Sequence, residues 1–242
     1  MLRAVGGREV RIELAPGGVD VTPLDPEIAA HISRLLGLPF DLDGFTAWAA
    51  GDPVLARVVS ALTGFRPPLQ PEPFEAVVTS ITAQQVSLQS ACAIRSRLIA
   101  AFGSPVGLVH AFPTEARLAR ATEDELVAVG FSRSKAGFVV GLARAEVDWA
   151  ALATLPDDEV KERLTTLRGI GEWTADWFLA RPLVRPDAWP AGDLGVRKAV
   201  SHYTTDAGAM LSIAEVRALG ARFDPYRNLS VHYLLVGQRM GA

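Results

Sequence analysis

Polar and apolar residues alternate along REVRIEL (8–14), a period of two that predicts a short β-strand. The segment APGGVDVTPLD that follows predicts a turn-rich linker. Beyond it the apolar spacing lengthens to the helical period. Ile28, Ile32, Leu35 and Leu36 share one face over 26–36, and Val54, Leu55, Val58, Val59 and Leu62 do so over 53–63. FRPPLQPEP (65–73) holds four prolines, which no helix passes through. From Phe74 to Phe102 the pattern is helical again, with a break at Thr82–Gln85. Val160, Leu164 and Leu167 predict a helix over 157–167, and further helices are expected near 133–146, 171–181, 193–203 and 225–239. Thr122–Glu125 and Ser212–Glu215 have the spacing of capping boxes. The pattern predicts an all-α fold with a short N-terminal β remnant. Its divisions are 1–22 as strand and linker, 23–72 as a helical segment packing with the C-terminal helices, and 73–242 as the helical body.

Composition narrows the class. With 49% hydrophobic and 21% charged residues among 242, the chain has the balance of a globular protein. No charge-free apolar run reaches a membrane span, and MLRAVGGREVRIEL lacks the pattern of a signal peptide. A cytoplasmic monomer is expected. Cys92 is the single cysteine, so an internal disulfide, a cysteine metal site and an iron–sulfur cluster are excluded. It is expected in the core, where a free thiol behaves as a small hydrophobe. His31, His110, His202 and His232 show no metal-ligand spacing. The net charge of −3 does not advertise nucleic acid, but residues 1–76 carry 6 Lys+Arg against 10 Asp+Glu and residues 77–242 carry 18 against 17. Any DNA contact is therefore expected to be local, not a broad basic face.

The most informative stretch is LRGIGEWTADW (167–177), followed by PAGD (190–193). One helix ends, a Gly-Ile-Gly turn follows, and a second helix opens near Glu172. Gly169 and Gly171 are expected to permit positive φ and close backbone approach. The amides of the second helix's first turn are then free to meet an anion such as a DNA phosphate. Taken alone, the turn fits a plain helix corner with no ligand better. Asp193 taken alone fits an ordinary N-cap of the next helix.

The combination L-x-G-I-G-x-W-T-A with the downstream Pro-containing loop ending in Asp resembles the helix-hairpin-helix DNA glycosylase superfamily, and within it the 3-methyladenine DNA glycosylase II family. Residues 74–103, around QQVS, residues 112–143 and PYRNLSVHYLL (225–235) resemble further segments of that family, so the likeness spans about 20–240. The resemblance implies a fold of two helical subdomains with the hairpin at 165–175. It implies hydrolysis of the N-glycosidic bond of alkylated purines in double-stranded DNA, with Asp193 as the catalytic carboxylate. Strand-cleaving relatives carry a lysine nucleophile where this chain has Trp173, and an indole cannot form a Schiff base, so water attack without strand cleavage is implied. Trp173, Trp177 and Leu235 would line the base pocket. Gln84 and Gln85 occupy the wedge position, with Gln85 as the plug, and Gly169, Gly171, Thr174, Arg197 and Lys198 would meet DNA. No organic cofactor is implied, but the backbone carbonyls of Thr165, Leu167 and Ile170 match a sodium or potassium site. Leu235 and Val236 stand where relatives offer aromatics, and only part of their N-terminal β domain is expected here. Two alternatives accompany this reading: the same fold acting on uracil, hypoxanthine or an oxidised purine, and a non-catalytic hairpin module that binds damaged DNA.

Overall fold

The computed structural model describes residues 1–205 and 209–242. Helices supply most of the structure, as the apolar periods predict, and the chain divides into two units. The first comprises Met1–Ile32 and Glu72–Ile170, the second Ser33–Pro71 and Gly171–Ala242. The division thus falls inside both the 23–72 segment and the 73–242 body expected from sequence. Among the described residues no helix is long and apolar enough to cross a membrane.

The N-terminus is a complete antiparallel sheet of three strands, not one strand and a linker. Strands β1 (Leu2–Val5), β2 (Arg8–Ala15) and β3 (Gly18–Thr22) pair in chain order. The glycines read as linker punctuation are the turns that close it. Gly6 and Gly7, both with positive φ, join β1 to β2 in the manner of a type I′ hairpin. Pro16-Gly17, with Gly17 at φ +80°, supplies type II chemistry between the paired Ala15 and Gly18. Val10 and Ile12 face the core, whereas Leu14 is 95% exposed. A two-residue pair, β4 (Pro105–Val106) and β5 (Val109–His110), was not foreseen.

Helix α1 (Pro26–Leu35) follows the sheet. The first unit's body is then built on α4 (Pro73–Ala83), α5 (Leu88–Phe102) and α8 (Arg133–Arg144), with α6 (Glu115–Ala119), α7 (Glu123–Ala128), α9 (Trp149–Ala153) and α10 (Asp157–Thr165). The expected break lies between α4 and α5. Helix α5 buries Ala91, Ile94, Leu98 and Phe102, one stripe at helical spacing. Cys92 falls off that stripe and is exposed, which corrects its expected place in the core.

The second unit holds α2 (Leu42–Ala49), α3 (Pro53–Ala61), α11 (Glu172–Ala180), α12 (Leu194–Thr204), α13 (Ile213–Leu219) and α14 (Arg227–Met240). Its α3 begins at the N-cap Asp52, which accepts the Val54 and Leu55 amides at 2.9 and 3.1 Å, with Pro53 pre-set for the first turn. Both expected capping boxes, at α7 and α13, are present. Helix α14 is the unit's centre, burying nine of its residues from Asn228 to Gly237. At Gly237 a β-carbon would lie 2.8 Å from Val58 of α3, so glycine is what lets these helices close.

His232 is buried in α14, its ring edge-on to Trp177 with centroids 5.5 Å apart, and Nδ1 lies 2.8 Å from the Asn228 carbonyl. Burial, then the positive charge of Arg181, pulls its pKa from the usual 6.5 to about 3. Between those values the unfolded chain binds a proton that the folded chain refuses, so stability falls as pH drops through that window. Urea unfolding is expected to show a loss of about 2 kcal/mol between pH 7 and pH 5 from this group, and His232→Gln should flatten that part of the slope.

Candidate active site

In the second unit the elements that carry chemistry are α11, the loop 181–193 and the first turn of α12. Asp193 is the N-cap of α12, as its place before LGVRKAV predicts, and Oδ1 accepts the Val196 amide at 2.9 Å. Its Oδ2 accepts a second set of donors that no local pattern announces. The Trp173 indole N–H donates to it, and the Trp177 indole N–H does so at 3.2 Å. Residues 173 and 177 lie one turn apart on α11, so both indoles leave the same helix face. The carboxylate is half-buried, aligned with the α12 dipole and fixed at both oxygens.

The loop that delivers Asp193 is itself fastened. Asn228 of α14 donates through Nδ2 to the Ala180 and Arg185 carbonyls, each at 2.9 Å, and its own amide donates to the Pro186 carbonyl at 2.9 Å. Trp189 donates to the Val216 carbonyl at 2.8 Å and stacks on Phe223 with centroids 5.1 Å apart. The Asp193 amide closes the last turn on the Pro190 carbonyl at 3.0 Å. Across from the carboxylate, a β-carbon at Gly195 would lie 3.0 Å from Asp193 Oδ1 and 3.3 Å from Leu235. Leu235 therefore stands beside Asp193 and is 7% exposed.

The two tryptophans are not equivalent. Trp173 is half-buried, whereas Trp177 is buried and carries the Arg181 guanidinium 4.1 Å from its ring centroid. With that ring covered and His232 at its edge, Trp177 orients the carboxylate and is not placed to stack on a base. Arg181 was not anticipated from sequence. Burial draws its pKa down to about 10, with the charge of Asp193 opposing that and Arg239 adding to it. Its Nε has no hydrogen-bond partner among the described residues.

In the first unit, the α4–α5 loop and the turn after α10 hold the other expected residues. Gln85 is exposed at φ +55°, a left-handed conformation uncommon for a residue other than glycine. Gln84 is not free to meet DNA: its side-chain amide donates to the Gly169 carbonyl at 2.9 Å. Gly169 has φ +88°, and a β-carbon there would lie 2.2 Å from Phe138, so both of the expected glycine requirements meet at this position. Gly171 has neither. It is the N-cap of α11 at φ −105° with open space where a β-carbon would stand, and it makes no side-chain cap.

Two further DNA-contact expectations are placed differently. Thr174 is 1% exposed, turned into the unit because it follows the outward Trp173 by one helical step. Arg197 donates to the Leu211 carbonyl through Nε at 3.2 Å and Nη2 at 2.9 Å, so its head is already engaged. Only Lys198 of that pair is exposed. Glu172, in the first turn of α11, is held by Arg217 at 2.5 Å.

For the cation positions, α10 ends at Thr165, so carbonyls of its last turn have no partner further along the helix. The Leu167 carbonyl accepts the Ile170 amide at 3.1 Å and retains a second lone pair. Neutral carbonyls of this kind fit a sodium or potassium ion.

Comparison with known proteins agrees with this geometry. Residues 78–210 match the family described as HhH-GPD superfamily base excision DNA repair protein. A Mycobacterium tuberculosis protein named probable bifunctional transcriptional activator/DNA repair enzyme AlkA is 32% identical over 213 residues, covering 85% of this chain and 41% of the relative. The chain thus spans less than half the length of that relative. A solved structure described as 3-methyladenine DNA-glycosylase from Archaeoglobus fulgidus superposes with a TM-score of 0.86 at 28% identity, covering 100% of this chain and 87% of that one. Another, the Schizosaccharomyces pombe 3-methyladenine DNA glycosylase in complex with abasic DNA, gives 0.67 at 26% identity, covering 79% and 94%. The hairpin turn, the Asp193 loop and the helical units around them therefore place this chain in the HhH-GPD superfamily of base excision DNA repair proteins.

Proposed function

We propose that the chain is a monofunctional DNA N-glycosylase that hydrolyses the N-glycosidic bond of alkylated purines of the 3-methyladenine type in double-stranded DNA. One observation carries this reading: the α12 amide and two indole N–H groups converge on the Asp193 carboxylate, while position 173 holds no lysine.

As the glycosidic bond breaks, positive charge develops on the deoxyribose. A carboxylate already oriented by three donors stabilises that charge without reorganising. It also accepts a proton from the attacking water as the bond to C1′ forms. The base leaves with the bonding electron pair. A cationic alkylated purine leaves as a neutral base, so the site needs no strong general acid. Trp173, the half-buried indole, is the surface offered to the flipped base, and stacking of a cationic base on it is worth roughly 0.5–2 kcal/mol. Leu235 bounds the same neighbourhood from α14. Gln85 fills the gap left in the duplex, and the free amides at the start of α11, with Gly171 open beside them, meet a phosphate. Lys198 adds a local cation. A sodium or potassium ion on the carbonyls of Thr165, Leu167 and Ile170 would supply positive charge for phosphate binding at the hairpin.

One observation favours the second reading, in which neutral lesions are the preferred substrates. Arg181 keeps a positive charge beside Trp177 and Asp193, and like charge disfavours a cationic base there.

Asp193→Asn is expected to reduce single-turnover release of 3-methyladenine by about a hundredfold or more while affinity for lesion DNA persists. Full activity in that variant would remove Asp193 from the mechanism. Arg181→Met should shift the ratio of excision rates toward cationic over neutral lesions by about tenfold, the free energy of two like charges about 12 Å apart at an effective dielectric of about 20. An unchanged ratio, measured with 3-methyladenine and hypoxanthine substrates, removes the basis for the second reading.

A further inference from the structure

Helix α4 ends where sequence reading placed a break, but the reason the loop after it keeps its shape lies on another helix. The residue just past a helix C-terminus often takes a left-handed conformation, and glycine usually fills it. Here Gln85 does so at φ +55°, a conformation costing about 1 kcal/mol or more for a side-chain-bearing residue. Such strain persists only where surrounding contacts over-determine it.

Those contacts come from Lys135. Its ammonium, in the first turn of α8, donates to the Thr82 carbonyl at 3.0 Å and to the Gln84 carbonyl at 2.5 Å. Thr82 and Gln84 end α4, so the lysine caps carbonyls that have no donor further along their own helix. The ammonium is drawn partly out of water to do this, and burial holds its pKa below the ordinary lysine value. A solvated lysine would gain nothing from such a position, whereas charge-assisted bonds to two carbonyls offset the loss of water.

The same short stretch of α8 also holds the hairpin turn. Phe138, one turn beyond Lys135, packs so closely under Gly169 that no β-carbon fits there. Gln84 closes the circuit by donating its side-chain amide to the Gly169 carbonyl at 2.9 Å. The exposed side chains that result are Gln85, Val86 at 40% exposure and Leu88 at 72%, a polar tip flanked by apolar groups that no core contact explains.

We propose that Lys135 is a positioning residue for nucleotide extrusion: with Gln84 it ties the Gln85 plug loop to the Gly169 turn, so that α8 presents both to DNA as one preorganised unit. This rests on the glycosylase reading above. Lys135 touches neither sugar nor base in this account and acts through the backbone of residues 82–84. Gln84, expected to contact DNA, serves as the tie.

The test uses the full chain with two duplexes, one carrying a tetrahydrofuran abasic analogue opposite 2-aminopurine, whose fluorescence rises when the plug enters the stack, and one carrying 3-methyladenine, whose release gives the single-turnover excision rate. Three variants are compared with wild type: Lys135→Met, which removes the cap; Lys135→Arg, which keeps the charge; and Gln84→Glu, which cannot donate to Gly169. Lys135→Met and Gln84→Glu should each lower the fluorescence enhancement and the single-turnover excision rate by roughly tenfold, the size of one intramolecular hydrogen bond lost. Affinity for undamaged duplex should stay within about twofold, because phosphate contacts set it. Lys135→Arg should recover part of the loss, and combining Lys135→Met with Gln84→Glu should add little to either alone. If Lys135→Met does not fold, Gln84→Glu carries the same comparison. Variants that keep wild-type fluorescence and rate, or a double variant whose losses multiply, would overturn the tie. A wild-type chain that releases 3-methyladenine but never raises the fluorescence overturns the plug role, whereas one that releases no base overturns the glycosylase reading on which it rests.

Discussion

Three N–H groups converge on one carboxylate, and the second unit is arranged around that convergence. The α12 amide takes one oxygen of Asp193, and the two α11 indoles take the other. A carboxylate beside buried aromatic surface is unfavourable unless its lone pairs are satisfied. Here the donors that satisfy it also set its direction. The loop 181–193 must hold the acid within reach of both tryptophans, and Asn228, Trp189 and the buried length of α14 accomplish this. Arg181 and His232, packed about Trp177, set the local charge: one a buried cation, the other a ring kept neutral by burial.

The proposed plug role places a different demand on the first unit. A plug that enters a base stack must be rigid before it arrives, or ordering it reduces the binding free energy. Gln85 in a left-handed conformation, Lys135 on the carbonyls behind it and Gln84 on the Gly169 turn give the loop one shape. Gly169 is the point where backbone conformation and packing against Phe138 both exclude a side chain.

What could be read from the sequence was mainly local. The apolar periods located most of the longer helices, the Thr122 and Ser212 boxes marked two helix starts, and Asp193 could be read as a cap from its neighbours alone. Its chemistry came from the whole motif, through resemblance. The misplacements arise where tertiary packing decides. Short α2, α6 and α9 carry too few turns for a period to show, and strand β3 was hidden by glycines that serve as turns. Thr174, Gln84 and Arg197 are polar residues in a motif, which suggests DNA; their burial or their carbonyl partners depend on distant segments. Lys135 lay within a recognised segment, but nothing in the one-dimensional pattern connects it to residues more than fifty positions earlier.

Under the proposed function, water directed by Asp193 breaks the glycosidic bond and leaves the strand intact. A duplex with one alkylated purine, incubated with the protein and run on a denaturing gel with and without hot alkali, tests it most directly. A monofunctional glycosylase leaves an intact strand before alkali and a break at the lesion only after it, with no product trapped by borohydride. A break before alkali, or a borohydride-trapped adduct, would contradict it.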